Sequence, residues 1–129
     1  MTARRRVYVA GPYSAPTPEG IRANILEAQL VGLAILEAGG LPLVPHALSA
    51  YVERRVPEPV WLQFGVDWLT ECDGLVLLPR WPQSRGAIVE RGIAAEERLP
   101  MWEAFPSPEM PHGWGLPDSL VRWLQRAAR

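Results

Sequence analysis

The amino-acid sequence predicts an α/β fold: a three-layer, Rossmann-like or flavodoxin-like domain with a short parallel sheet of about four strands. Short apolar segments alternate along the chain with longer segments of helical periodicity. The most apolar short segment, residues 74–78, has no polar side chain, as is usual in strands covered on both faces. This alternation favours right-handed βαβ units, which produce a parallel sheet.

The first strand and the first helix are predicted from strong local signals. Residues 6–10 form an apolar strand that ends at the turn Gly11–Ser14. From about residue 21 to residue 38, apolar residues recur at helical spacing. Gly39 and Gly40 follow and are expected to end this helix.

The middle of the chain is predicted to supply two more strands. Residues 41–44 form a short second strand, and residues 47–59 are expected to be irregular because they are polar and proline-containing. A helix over about residues 60–71 leads into the third strand at residues 74–78.

The last third of the chain begins with a helix from Ser84, a good N-cap residue, to about Arg98. Residues 100–102 form a fourth strand, and the proline-rich residues 103–115 are expected to be mostly loop. A final helix is predicted over about residues 117–127.

Length and composition favour one domain, residues 1–129, with a core at about 6–102 and a C-terminal loop and helix at 103–129. A net charge of −1 gives no field that would attract a nucleic acid polymer or an anionic membrane. The chain has no apolar run of the ~18 residues that span a bilayer and no signal-peptide pattern, so a cytoplasmic location is expected.

The reactive side chains exclude several kinds of chemistry. All 13 basic residues are arginine, so the chain has neither a Schiff-base lysine nor a P-loop lysine. Cys72 is the only cysteine, and the histidines His46 and His112 are far apart in the sequence. We therefore expect no metal site.

Polar or Gly/Pro-rich residues follow three of the predicted strands directly. These segments are Gly11–Ser14, Pro45–His46 and Arg80–Gly86. Because ligands of open parallel sheets bind beyond the carboxyl ends of the strands, we expect the three segments to surround one site.

The segment Ser84–Glu90 is the most informative of the three. A strand, a loop and the start of a helix leave backbone N–H groups free to bind an anion. Glu90 lies four residues after Gly86, on the same helix face and about 6 Å along the axis. A phosphate at the helix start would therefore leave this carboxylate facing the sugar of the same nucleotide.

The chain resembles the nucleoside 2-deoxyribosyltransferase-like superfamily, and within it the small bacterial and phage proteins of unassigned function. The resemblance covers about residues 6–102. It is carried by Val7–Ser14, Asn24, Pro45–His46, Cys72–Pro79, Trp81, Ser84–Glu90 and Ala94. It implies cleavage of the N-glycosidic bond of a deoxynucleoside or its 5′-monophosphate, with water or a second base as acceptor. It also implies a homo-oligomer and no metal or organic cofactor.

The resemblance assigns roles to particular positions. Glu90 matches the nucleophile, Tyr13 matches the tyrosine that orients it, and Ser84 and Gly86 match phosphate-contacting positions. The aspartate that assists the leaving base has Gly65 at its usual position, so Asp67, two residues later, is the candidate for that role. The further candidates for substrate contact are Gly11, Pro12, Ser14, Asn24, His46 and Arg85.

Each main candidate also has a purely structural interpretation. Glu90 would be a solvated helix residue, Tyr13 an aromatic side chain packed over the sheet edge, and His46 a loop cap, while Asn24 and Arg85 would face solvent. The whole protein has two alternatives. One is a nucleotide-binding module without turnover, which the offset of Asp67 favours. The other is a partner-binding protein that uses the Trp- and Pro-rich C-terminal part.

Overall fold

A computed structural model describes residues 4–128 of the chain. Its strands are β1 (Arg6–Ala10), β2 (Leu41–Leu43), β3 (Gly74–Leu77), β4 (Met101–Glu103), β5 (Phe105–Pro106) and β6 (Trp114–Gly115). Its helices are α1 (Pro18–Glu37), α2 (Pro45–Ser49), α3 (Glu58–Leu69), α4 (Arg85–Glu96) and α5 (Asp118–Ala128). Two 3-10 turns lie at Glu53–Arg55 and Trp81–Gln83.

The first four strands form one parallel sheet in the order β2-β1-β3-β4. This confirms the predicted α/β class and the number of strands. Strand β2 pairs with one edge of β1, and strand β3 pairs with the opposite edge. The strand order therefore reverses between β1 and β3, which is where ligands bind in folds of this class.

Helices cover both faces of the sheet, as a three-layer fold requires. Side chains of a strand alternate between its two faces. Val7 and Val9 of β1 pack in a core whose helical members come from α1 and α5, among them Val31 and Leu120. Tyr8 and Ala10 point the other way, into a second core formed with α3 and α4.

Helices α1 and α4 begin at side-chain caps that the sequence supplies. The backbone N–H of Gly20 donates to Thr17 Oγ1 at 3.1 Å, and that of Ala87 donates to Ser84 Oγ at 3.2 Å. Helix α4 therefore begins at the predicted place, immediately after the loop that follows β3.

Two predicted loops contain regular structure. Residues 47–59, expected to be irregular, include most of α2 and the first 3-10 turn. Pro45 occupies the first turn of α2, where the missing N–H costs no hydrogen bond. Residues 103–115 contain the short antiparallel pair β5–β6. Of the helices within residues 4–128, none combines the length and the apolar character needed to cross a membrane.

Candidate active site

A cavity of about 720 Å³ opens beyond the carboxyl ends of β1, β2 and β3. Its wall is formed by the loop after β1, by α2, by the 3-10 turn Glu53–Arg55, by the start of α3 and by the first turn of α4. The three strand-end segments predicted to surround a site all contribute to this wall. A cavity of this size can hold a nucleotide.

Glu90 is held inside this cavity by Tyr8. The Tyr8 hydroxyl donates a hydrogen bond to Glu90 Oε2, and both residues line the cavity. Burial raises the pKa of Glu90 to about 7, although the hydrogen bond from Tyr8 acts in the opposite direction. Burial and the neighbouring Glu90 raise the pKa of Tyr8, so the phenol stays protonated and remains the donor.

The residue bonded to Glu90 was predicted to be Tyr13, and the structure places Tyr8 there instead. Tyr8 lies within β1 and points toward α4 because strand side chains alternate. Tyr13 lies in the following loop, with its ring centroid 5.7 Å from that of His46. Burial and the nearby Glu53 carboxylate raise the pKa of Tyr13.

Gly65 of α3 faces the same hydrogen bond. A Cβ atom at this position would lie 2.6 Å from the Tyr8 hydroxyl oxygen and 2.8 Å from Glu90 Oε2. The place where the resemblance implies an aspartate is therefore filled by the Tyr8–Glu90 pair itself.

Asp67, the predicted substitute for that aspartate, lies elsewhere. Two residues along a helix correspond to a rotation of about 200°. Asp67 is accordingly exposed on the outer face of α3, where it accepts a hydrogen bond from Gln63 at 2.8 Å, and it does not line the cavity. It therefore lies away from the cavity in which the resemblance would require it.

The first turn of α4 presents an anion-binding arrangement to the cavity. The amides of Arg85 and Gly86 occupy the first two helical positions, where no intrahelical acceptor exists. A Cβ atom on Gly86 would meet nothing within 4 Å, so the space beside this residue is open. Ser84 also lines the cavity, but its oxygen already caps the helix by accepting from Ala87.

Asn24 of α1, predicted to contact the substrate, instead holds the loop after β1 that forms part of the cavity wall. Its side chain is 3% exposed and does not line the cavity. Asn24 Nδ2 donates to the carbonyl oxygens of Tyr13 and Ser14 at 3.0 and 3.3 Å. Asn24 Oδ1 accepts from Arg80 Nη2 at 2.6 Å, which connects the loop after β1 to the loop after β3.

His46, which follows β2, also holds the loop after β1. His46 Nε2 lies 3.1 Å from the Gly11 carbonyl and 3.0 Å from the Pro12 carbonyl. Both partners are acceptors, so the ring proton is assigned to Nε2. Gly11 itself is needed for packing, because a Cβ atom there would lie 2.4 Å from Leu78 Cδ1.

Residues 5–102 match the family model described as Domain of unknown function (DUF4406). The chain belongs to the DUF4406 family. No curated protein matches it. Among solved structures, it is similar to the 2-desoxiribosyltransferase from Leishmania mexicana, with a TM-score of 0.55 and 17% sequence identity over 88% of this chain and 79% of that chain. This likeness shows that the DUF4406 protein has a nucleoside 2-deoxyribosyltransferase-like fold, as the sequence predicted.

Three residues that shape the site of this DUF4406 protein were not predicted. Tyr8 was assigned only to a strand, although its alternation with Val7 and Val9 places it on the face of β1 opposite to theirs. Arg80 was noted only as the start of a segment. Glu53, which lines the cavity, lies in a region expected to be irregular, and no sequence signal singled it out. Residues 4–128 contain no group of three or more His, Cys, Asp or Glu side chains arranged to hold a metal ion.

Proposed function

We propose that this DUF4406 protein is an N-glycosidase that cleaves the base–sugar bond of a 2′-deoxynucleoside or its 5′-monophosphate, with Glu90 as the nucleophile. The observation that carries the proposal is the Tyr8–Glu90 pair in the cavity wall. A carboxylate oriented by a buried phenol, one helical turn from free backbone amides, suits attack on a sugar whose phosphate is anchored at those amides.

The proposed chemistry has two steps. Tyr8 holds Glu90 Oε2, which leaves Oε1 to attack the anomeric carbon C1′ of the deoxyribose. The bond from C1′ to the base nitrogen breaks and its electron pair leaves with the base, which must then gain a proton. Water or a second base then attacks C1′ of the glycosyl-enzyme, the bond from C1′ to Oε1 breaks, and Glu90 is released as a carboxylate. The proton lost by the attacking group balances the proton that the departing base gains.

The start of α4 supports a 5′-monophosphate as the preferred form of the substrate. The amides of Arg85 and Gly86 and the positive end of the helix dipole favour a phosphate. The Arg85 side chain adds a planar pair of N–H donors suited to phosphate oxygens. This anchoring favours the hydrolase over the transferase.

The fold neighbour is named as a 2-desoxiribosyltransferase, and this name adds support for a deoxynucleoside substrate. The predictions of a homo-oligomer in the cytoplasm complete the proposal. Sedimentation velocity measures the oligomeric state directly.

A second candidate function is a nucleotide-binding module without turnover. Gly65 and the outward-facing Asp67 favour it, because the position of the expected aspartate holds a glycine and Asp67 does not line the cavity. Such a module would bind deoxynucleotides in the same cavity and release no base.

The test is to incubate the purified protein with each deoxynucleoside and each 5′-monophosphate and to measure free base by chromatography. We expect release by the wild type and a loss of at least about a thousandfold in Glu90→Ala, which lacks the nucleophile. Glu96→Gln, on the exposed face of the same helix, is the matched control and keeps full activity. Release that is unchanged in Glu90→Ala would refute the proposal, and binding without release by the wild type would favour the module.

A further inference from the structure

Three buried polar atoms in the cavity wall have no hydrogen-bond partner among residues 4–128. They are the Tyr13 hydroxyl, His46 Nδ1 and Glu53 Oε2, which we call the acceptor cluster. Buried polar atoms in folded proteins are nearly always paired. The other unpaired buried side-chain atom among the described residues, Arg5 Nε, belongs to a side chain stacked on Trp123 outside the cavity. The concentration of such atoms in one wall indicates a binding surface for a polar ligand.

Hydrogen bonds with neighbouring backbone carbonyl groups hold the residues of the acceptor cluster in place. The donation from His46 Nε2 to two carbonyl groups leaves Nδ1 with its lone pair, and burial lowers the pKa of His46, which keeps the ring neutral. Trp61 Nε1 of α3 donates to the backbone carbonyl of Glu53 at 2.6 Å and fixes the 3-10 turn. The Tyr13 ring lies against His46, and its hydroxyl is near the side chains of Glu53 and Ser49 without meeting either in good hydrogen-bond geometry.

The chemistry of these atoms defines what the ligand must offer. His46 Nδ1 and Glu53 Oε2 are acceptors, and the Tyr13 hydroxyl can donate or accept. A ligand that pairs both acceptors therefore presents at least two N–H or O–H donors at this end of the cavity. Trp61, which donates to the backbone carbonyl of Glu53, also lines the cavity, so aromatic surface adjoins the cluster. A flat ring with a donor-bearing edge fits both features.

The elements place the acceptor cluster apart from the anion-binding turn. His46 and Glu53 follow β2, whereas the start of α4 follows β3, and β1 with Tyr8 lies between these strands in the sheet. A nucleotide with its phosphate at α4 and its sugar beside Glu90 would extend its base toward the β2 side.

We propose that the acceptor cluster binds the nucleobase and selects a base that carries an exocyclic amino group; this inference rests on the function proposed above. An amino group offers two coplanar N–H donors to Glu53 and His46. A carbonyl group at the same ring position would direct its lone pairs against the Glu53 carboxylate.

The test compares nucleotides that differ only at this group: dCMP with dUMP, and dAMP with deoxyinosine monophosphate. Dissociation constants are measured by calorimetry on Glu90→Gln, which prevents turnover, and rates of base release are compared on the wild type. We expect the amino-bearing member of each pair to bind about tenfold more tightly or better.

Glu53→Gln is the decisive variant, because the glutamine amide can rotate and offer a donor to a carbonyl group. We expect it to reduce the ratio of dissociation constants toward one, with no change in the affinity for deoxyribose 5-phosphate. Glu58→Gln, which alters another carboxylate of the cavity wall, keeps the ratio and is the matched control. If Glu53→Gln does not fold, Tyr13→Phe removes one member of the cluster and is expected to lower the ratio as well.

The possible failures are distinguishable. Equal binding of both members of each pair, or a ratio that Glu53→Gln leaves unchanged, would overturn the base preference and leave the glycosidase proposal standing. An absence of binding to every nucleotide would overturn both proposals.

Discussion

At the scale of single residues, two effects shift the pKa of Glu90 in opposite directions. Burial removes the carboxylate from water and raises its pKa, while the hydrogen bond from Tyr8 stabilises the charged form and lowers it. Burial prevails, and the pKa of Glu90 is about 7. Cys72 offers no alternative nucleophile, because burial raises the pKa of its thiol to about 11 and keeps it protonated near neutral pH.

The raised pKa of Glu90 predicts how stability depends on pH. Between its ordinary value of 4.5 and about 7, the folded protein binds a proton that the unfolded chain releases. The contribution of Glu90 to stability is therefore full below about pH 4.5 and is lost as the pH rises through 7. The ionised carboxylate lowers the free energy of unfolding by up to about 3 kcal/mol above pH 7.

Glu90→Gln keeps an acceptor for Tyr8 and cannot ionise. We expect it to have nearly the stability of the wild type at about pH 4 and to be more stable by about 1–3 kcal/mol at about pH 8. Urea unfolding at the two pH values measures the difference. Glu96→Gln is exposed and should show no such dependence on pH. A difference between Glu90→Gln and the wild type that is the same at both pH values would refute this account.

At the scale of elements, the strands were predictable because their composition is dictated by burial. Residues of β1 and β3 are covered on both faces, and only continuous apolar segments meet that condition. The start of α4 was predictable from Ser84, since a cap is a local signal. Helix α2 and the 3-10 turn after it were missed because Pro45, Pro57 and Pro59 resemble breaks and the apolar pattern of both elements is too short to show a period.

The residues that contact Glu90 could not be predicted from local sequence signals alone. Tyr13 was chosen because it lies in a turn after a strand, but contact with Glu90 depends on which face of β1 a side chain occupies. Gly65 was recognised in the sequence as a departure from the family pattern. What occupies the space beside it follows from how α3 packs against β1 and α4, and the sequence of α3 does not contain that information.

The packing of α3 predicts opposite effects for two glycine substitutions. Gly65→Ala places a methyl group 2.6 Å from the Tyr8 hydroxyl oxygen, so the pair must move apart; we expect a loss of about 1–3 kcal/mol and a strong loss of base release. Gly92→Ala meets nothing within 4 Å on an exposed helix and should gain about 0.5–1 kcal/mol with activity unchanged. Urea unfolding and the chromatographic assay measure both. Equal stability of the two variants would show that Gly65 tolerates a side chain.

At the scale of the whole molecule, the site depends on contacts between elements that are far apart in the sequence. The reversal of strand order between β1 and β3 leaves two loops side by side at one edge of the sheet. Asn24 of α1 binds the first loop through its amide nitrogen and receives Arg80 of the second loop at its oxygen. Helix α1 thus fixes the distance between the two loops that enclose the cavity.

This connection predicts that Asn24→Ala impairs a site that Asn24 does not touch. The variant removes the donor for two loop carbonyls and the acceptor for Arg80, so we expect a loss of about 1–3 kcal/mol in urea unfolding and weaker binding of deoxynucleotides. Glu27→Gln is the matched control, because it alters only the 3.4 Å ion pair of the same arginine, whose side chain is 46% exposed, and should cost less than about 1 kcal/mol. Nucleotide affinity that is unchanged in Asn24→Ala would show that the loop after β1 holds its shape without α1.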